Sequence, residues 1–187
     1  MKNLVFSTGN KEKFKAASDV CRVYGIDLIQ KELPILEIQS EDPAEIIKDK
    51  VMKAYELLQE PVIVSDDSWH FEGLNGFPGP YMKSINHWFR TEDFINLTRH
   101  LDNKRVYITM YLAFKNAKQV KLFHYRHGGY ILDSPKGISG PPAAQITSLD
   151  GDRGLSIAEI YDQGQDNSVR DASQVWHDFV QYYSNLN

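Results

Sequence analysis

The stretch from Leu4 to Gln30 constrains the fold more than any other part of the chain. Leu4-Val5-Phe6 is an apolar run of strand length, and it suits a buried strand. Thr8-Gly9-Asn10 supplies turn chemistry. Phe14, Ala17, Val20, Cys21 and Tyr24 then recur at helical spacing up to Gly25, where a helix-ending glycine belongs. Ile26 to Gln30 reads as a second strand. Strand, turn, helix and strand make a βαβ start, and that places the chain in the α/β class.

The rest of the sequence extends this start. A helix is expected from Pro43, well placed for a first-turn proline, to Leu58, with Ile47, Val51, Ala54, Tyr55 and Leu58 as its apolar stripe. Pro61 to Ser65 reads as a short strand that ends on Asp66-Asp67-Ser68. A Gly- and Pro-rich turn over 73–80 leads to a helix carrying Met82, Ile85 and Phe89, and 94–101 reads as another helix. Arg105 to Phe114 and Val120 to Leu132 read as long strands joined by the polar turn 115–118. The loop 134–142 precedes a last helix with Ala172, Val175, Trp176, Phe179 and Tyr183 on one face. With 187 residues, 42% of them hydrophobic, one domain over 1–187 can bury a core of its own.

Charge and cysteine usage exclude some partners. A net charge of −4 and a pI of about 5.8 lack the basic excess of a duplex-binding surface. Cys21 is the only cysteine, which rules out an internal disulfide or a Cys-rich zinc site. No stretch approaches the roughly 18 apolar residues of a membrane span. The start also lacks the long apolar region of a signal peptide. The expectation is a cytoplasmic protein without nucleic-acid or membrane partners.

Four groups of residues could carry chemistry. Lys11, Lys13 and Lys15 fall in the first two turns of the first helix, where the free N–H groups and the dipole favour anions over cations. A bound phosphate would explain them, and so would simple solvation. Asp66 and Asp67 follow an apolar strand, and alternation sends them to opposite faces. They meet a cation such as Mg²⁺, or they exit to solvent. Lys53 lies off the apolar stripe, four residues after Asp49, and reads as half of a surface i, i+4 pair. Arg170 follows Ser168 at the start of the last helix, where Ser168 and Asp171 resemble a capping box. There it faces an anion or a structural carboxylate. His124 and His127 would point to opposite faces of a strand, which argues against a metal module.

Together these segments resemble the inosine triphosphate pyrophosphatase family. Thr8-Gly9-Asn10-x-x-Lys13 is similar to its signature after the first strand, and Val51-Met52-Lys53-Ala54 to its lysine-bearing helix. Ser65-Asp66-Asp67-Ser68, followed by Gly73-Leu74-Asn75-Gly76-Phe77-Pro78-Gly79-Pro80-Tyr81-Met82-Lys83, carries the resemblance furthest. The resemblance implies a long twisted mixed sheet flanked by helices in two lobes with a central cleft, usually as a homodimer. It implies hydrolysis of inosine or xanthosine triphosphate to the monophosphate and pyrophosphate. Asp67 would activate water and Lys53 would assist catalysis, while Glu41, Asp66 and Asp67 would hold Mg²⁺. Thr8, Gly9, Asn10, Lys13, Ser68 and Arg170 would bind the substrate.

The base-reading half departs from the family pattern. A Phe-Gly-(Trp or Tyr)-Asp-Pro segment is expected after the long strands, and Gly137-Ile138-Ser139-Gly140-Pro141-Pro142-Ala143-Ala144-Gln145 stands there instead. Ser168-Val169-Arg170 lacks the usual histidine, and the lysine before it has no counterpart in 162–167. Inosine selectivity is then expected to collapse, unless Trp69 or the 137–145 loop rebuilds a reader. The alternative to an active enzyme is a catalytically weak paralogue that binds a nucleotide or a protein partner.

Overall fold

The computed structural model describes residues 2–164 and 167–186, with side chains over 3–164 and 174–186. One sheet has the strand order β2-β1-β3-β5-β6-β7, with β4 paired to β3. The strands are β1 (Lys2–Ser7), β2 (Ile26–Lys31), β3 (Val62–Phe71), β4 (Pro78–Gly79), β5 (Arg105–Lys115), β6 (Val120–Ile131) and β7 (Thr147–Leu149). The helices are α1 (Lys11–Val23), α2 (Pro43–Leu58), α3 (Met82–Trp88), α4 (Thr91–Thr98), α5 (Ile157–Asp162) and α6 (Asn167–Ser184). β1 runs parallel to β2 and to β3, whereas β3–β4 and β6–β7 are antiparallel, so the sheet is mixed. The α/β fold with a mixed sheet and flanking helices is the one expected from the sequence.

The chain divides into two compact units. The first comprises residues 1–67, 110–125 and 168–187, and the second comprises 68–109 and 126–167. In the first unit the sheet is covered on both faces, which explains why its central strands are apolar throughout. Leu4, Phe6, Ile63, Leu112 and Phe114 meet Ala17 and Cys21 of α1 and Trp176, Phe179 and Val180 of α6. Val5, Val62, Val64 and Ala113 meet Ile47, Val51 and Ala54 of α2. Cys21 is fully buried, and burial pushes its thiol up to about 12. In the second unit Trp69, Phe71, Met82, Phe94, Val106, Ile146 and Ile157 form a separate core.

Local chemistry sets the helix ends that matter for function. Asn10 caps α1, its side-chain oxygen accepting from the backbone N–H of Glu12 (2.9 Å) and of Lys13 (3.0 Å). Gly25, at φ +72°, closes that helix. Asp42 caps α2 by accepting from the Ala44 N–H at 2.8 Å, with Pro43 in the first turn.

The structure revises three sequence expectations. β3 does not end at Ser65 but continues to Phe71, so Asp66 and Asp67 lie inside a strand. A polar Asp-Asp-Ser run reads as a turn in sequence, whereas Trp69 and Phe71 beyond it bury in the second core and keep the strand extended. β7 and α5 were not expected, being only three and six residues long. α4 begins and ends about three residues before the segment 94–101.

Trp176 packs edge-on against Phe6 at 5.0 Å and against Phe179 at 5.9 Å, with 2% exposure. Trp176→Ala is expected to cost about 3–5 kcal/mol of unfolding free energy in urea titration. Val23→Ala, at a site 81% exposed, should stay within about 0.5 kcal/mol. Equal effects would place Trp176 outside the core.

Candidate functional site

β1 ends at Ser7 and leads through 8–10 into α1, and the neighbouring parallel strand β3 reaches that helix through Asp67, which pairs with Lys13. Leaving β1, the chain is pinned by a hydrogen bond from the Thr8 N–H to the Lys31 carbonyl (3.0 Å). The Gln30 side chain donates to the Thr8 carbonyl at 3.1 Å. Thr8 Oγ1 accepts from the Asn10 N–H at 3.1 Å, which tightens the turn. A Cβ at position 9 would stand 2.7 Å from Glu32 Oε1, the far end of an exposed side chain that can move aside. Thr8, Gly9, Asn10 and Lys13 therefore gather around one helix N-terminus.

Asp66 and Asp67 each meet a lysine from a different helix. Asp67 Oδ1 pairs with Lys13 Nζ of α1 at 2.6 Å, with side-chain exposures of 28% and 25%. Asp66 Oδ2 lies 3.5 Å from Lys50 Nζ of α2, which also pairs with Glu37 at 2.6 Å. The two acids leave opposite faces of β3, and the helices on those faces supply the cations. Two adjacent carboxylates in a strand are costly to desolvate, and these two pairs offset that cost. Lys50 and Glu37 were not singled out by sequence reasoning. Their partnership links a loop to a helix, and no local spacing encodes it.

Lys53 stands elsewhere. Its ammonium pairs with Asp49 at 2.7 Å and donates to the Leu36 carbonyl at 2.8 Å, which is the i, i+4 pair that the spacing predicted. Glu41 is exposed and forms no ion pair among the described residues; its neighbour Asp42 is the helix cap. No group of three or more His, Cys, Asp or Glu side chains gathers as a ready-made metal site among the described residues. That includes His124, which lies against Tyr111, and His127, which bonds the Asp150 carbonyl at 3.2 Å. The side chains of Ser168, Arg170 and Asp171 lie outside the described residues.

In the second unit Ser68 is fully buried, and its hydroxyl lies 3.0 Å from His70 Nε2. Burial and the nearby Arg126 charge hold the His70 imidazole below its ordinary value. The Gly76 backbone also hydrogen-bonds the ring; assigning Nδ1–H as donor to its carbonyl leaves Nε2 to accept from Ser68. Trp69 is 8% exposed within the second core, so it is packing and not a stacking face. The loop after β6 is ordered by Asp162, whose carboxylate accepts from the N–H groups of Ile138 (2.9 Å) and Ser139 (3.1 Å). A hydrogen bond from the Ser139 side chain, together with these N–H bonds, holds the Asp162 carboxyl below the usual range. Ile138 is left 85% exposed at the tip.

The sequence matches the model of the Ham1 family over residues 4–142. It is 31% identical to "Inosine triphosphate pyrophosphatase 2" of Trypanosoma cruzi, over 74% of this chain and 70% of that protein. It is 28% identical to "dITP/XTP pyrophosphatase" of Hyperthermus butylicus, over 73% of this chain and 72% of that one. In fold it is similar to a HAM1 protein from Coxiella burnetii, with TM-score 0.83 and 16% identity over 99% of this chain and 100% of the other.

The Lys13–Asp67 pair makes a pH prediction. Burial lowers the Lys13 pKa, but Asp67, Asp66 and Glu37 together raise it more, so the net shift is above 10.5. A raised folded-state value means stability fully present below the unfolded value and lost as pH rises through the folded one. In urea titrations the stability gap between the parent and Lys13→Met should hold constant from about pH 7 to 10 and shrink only beyond 10.5. A gap that closed by about pH 9 would mean the ion pair is not its source.

Proposed function

The chain belongs to the Ham1 family, and on that ground we propose that it is a nucleoside triphosphate pyrophosphatase acting on inosine and xanthosine triphosphates. The observation that supports this most is the pairing of two adjacent strand carboxylates with lysines from two helices, beside a capped helix N-terminus. Such an array suits phosphoryl chemistry, where positioning and charge supply most of the rate.

On this reading Asp67 takes a proton from water as the water oxygen bonds to the α-phosphorus. The bond from that phosphorus to the oxygen bridging to the β-phosphate breaks, and pyrophosphate leaves with the electron pair. Lys13 and Lys50 offset the negative charge on the phosphates. Thr8, Gly9 and Asn10 orient phosphate oxygens at the start of α1, where the positive end of the helix dipole favours an anion. Ser68 and Arg170 are proposed to bind the substrate as well. Between Lys50 and Lys53 of α2, Lys50 is assigned the catalytic-side charge on the strength of its contacts with Asp66 and Glu37.

Mg²⁺ fits the donor chemistry present. Asp66 and Asp67 are partly exposed hard-oxygen donors, and Mg²⁺ uses one or two carboxylates together with substrate phosphates instead of an all-protein cage. One of the two, Asp66 or Asp67, would hold it from its own face of β3, with Glu37 or Glu41 as a further donor, and the ion would neutralise phosphate charge. A cytoplasmic homodimer completes the proposal. Among the described residues no helix is long and apolar enough to cross a membrane.

A pyrophosphate-release panel with Mg²⁺ tests the reading. Asp67→Asn should lower turnover by roughly 100-fold or more while the fold is kept. Lys50→Ala should lose about 10- to 100-fold, and Lys53→Ala less than about 3-fold. A Lys53→Ala loss as large as that of Lys50→Ala would reverse the assignment. Release from no triphosphate at all would move the chain to the nucleotide- or partner-binding alternative.

A further inference from the structure

Lys50 is shared by two carboxylates of the first unit, and the nearer one comes from a loop. Glu37, between β2 and α2, meets Lys50 Nζ at 2.6 Å. Asp66 and the Ser65 carbonyl each lie 3.5 Å from the same atom. A hydrogen bond at that length is weak, so the short contact to Glu37 is the one that orients the ammonium. Lys50 is also the more enclosed partner, its side chain 17% exposed against 43% for Glu37. The loop is tied down next door. The Leu36 carbonyl accepts from Lys53 Nζ at 2.8 Å, and Lys53 is itself neutralised by Asp49. Among the described residues, two carboxylates therefore face one ammonium at Lys50, and this group carries negative charge in excess. Lys13 and Asp67 offset each other. Burial lowers the Lys13 pKa, yet Asp67, Asp66 and lastly Glu37 raise it above its ordinary value, so the Glu37 charge is felt at both lysines.

We propose that Glu37 is a positioning residue that holds Lys50 off an incoming phosphate, and that this hold makes polyphosphate binding depend on a divalent cation. This rests on the assignment of Lys50 to the phosphates above and names what governs access to its charge. Without a cation the excess negative charge opposes a polyanion, and a phosphate has to compete with Glu37 for the ammonium. With a divalent cation held at Asp66 the excess is offset, and Lys50 turns from Glu37 to the phosphate while Asp66 and the Ser65 carbonyl stay within reach. Glu37 suits an exchangeable contact. Its carboxylate is nearly half exposed, so its release to water costs little. The Lys53 bond keeps the backbone of residue 36 in place, so the side chain of Glu37 is the part that has to move.

Calorimetry with inorganic tripolyphosphate, in EDTA and in excess Mg²⁺, tests this on the parent, Glu37→Gln, Lys50→Met and the double variant. In EDTA, Glu37→Gln should bind roughly 10-fold tighter than the parent, and with Mg²⁺ the two should agree within about 3-fold. In the Lys50→Met background the same change should matter less than about 3-fold in EDTA, because the contact it acts through is gone. Lys50→Gln serves should the methionine variant fail to fold. No tightening in EDTA, or an equal one without Lys50, would overturn the proposal. Weaker binding of Glu37→Gln with Mg²⁺ would overturn it too, by making Glu37 a metal donor. Pyrophosphate release from inosine triphosphate is measured alongside. Release by the parent with no Glu37 effect on binding would leave hydrolysis standing and remove this proposal. The tightening in EDTA without any release would sink the hydrolase reading and keep this one. A parent that binds no tripolyphosphate even with Mg²⁺ would end both.

Discussion

Asp66 and Asp67 are two ionised groups placed side by side inside a strand, and the first unit is arranged around that cost. Strand alternation forbids them from sharing one counter-charge, so each face of β3 has to supply its own. α1 brings Lys13 to Asp67, and α2 brings Lys50 to Asp66. The position of both helices therefore matters beyond their packing. If α2 were rotated by one residue, about 100°, Lys50 would leave Asp66 and the carboxylate would stay partly desolvated without a partner. The same helices bury the apolar faces of β1 and β3, so the core and the charge pairs fix each other.

Much of this was legible in the sequence, and the failures have physical causes. β1, α1, β2 and α2 follow from local signals: an apolar triplet, a Thr-Gly-Asn turn, a glycine at the helix end and a first-turn proline. β3 was cut short because its two acids resemble a turn when their lysines are out of view. Lys53 and Lys50 lie about 300° apart on one helix, nearly one turn, so sequence position alone does not say which reaches the acids. Only the tertiary contacts to Glu37 and Asp66 separate them.

The two units divide the chain's cores and charge pairs between them. The lysines, the acids and the helix N-terminus occupy the first unit, and the Arg126–Tyr107 stack occupies the second. The second core shares no residue with the charge pairs of the first unit. In the second unit the loop at 137–140 is held by Asp162, which bonds the Ser139 side chain as well as the N–H groups of Ile138 and Ser139.

Cys21 has a practical consequence of another kind. It is the chain's only thiol, fully enclosed between α1 and the sheet, and its ionisation is displaced far beyond neutral pH. The nucleophile in alkylation and disulfide exchange is the thiolate, so this sulfur is silent to both while the fold persists. A cysteine introduced at an exposed position such as Ile138 would then be the single reactive thiol. The native chain needs no cysteine removal before a reporter dye is attached, and labelling of Cys21 itself would register only molecules that have opened.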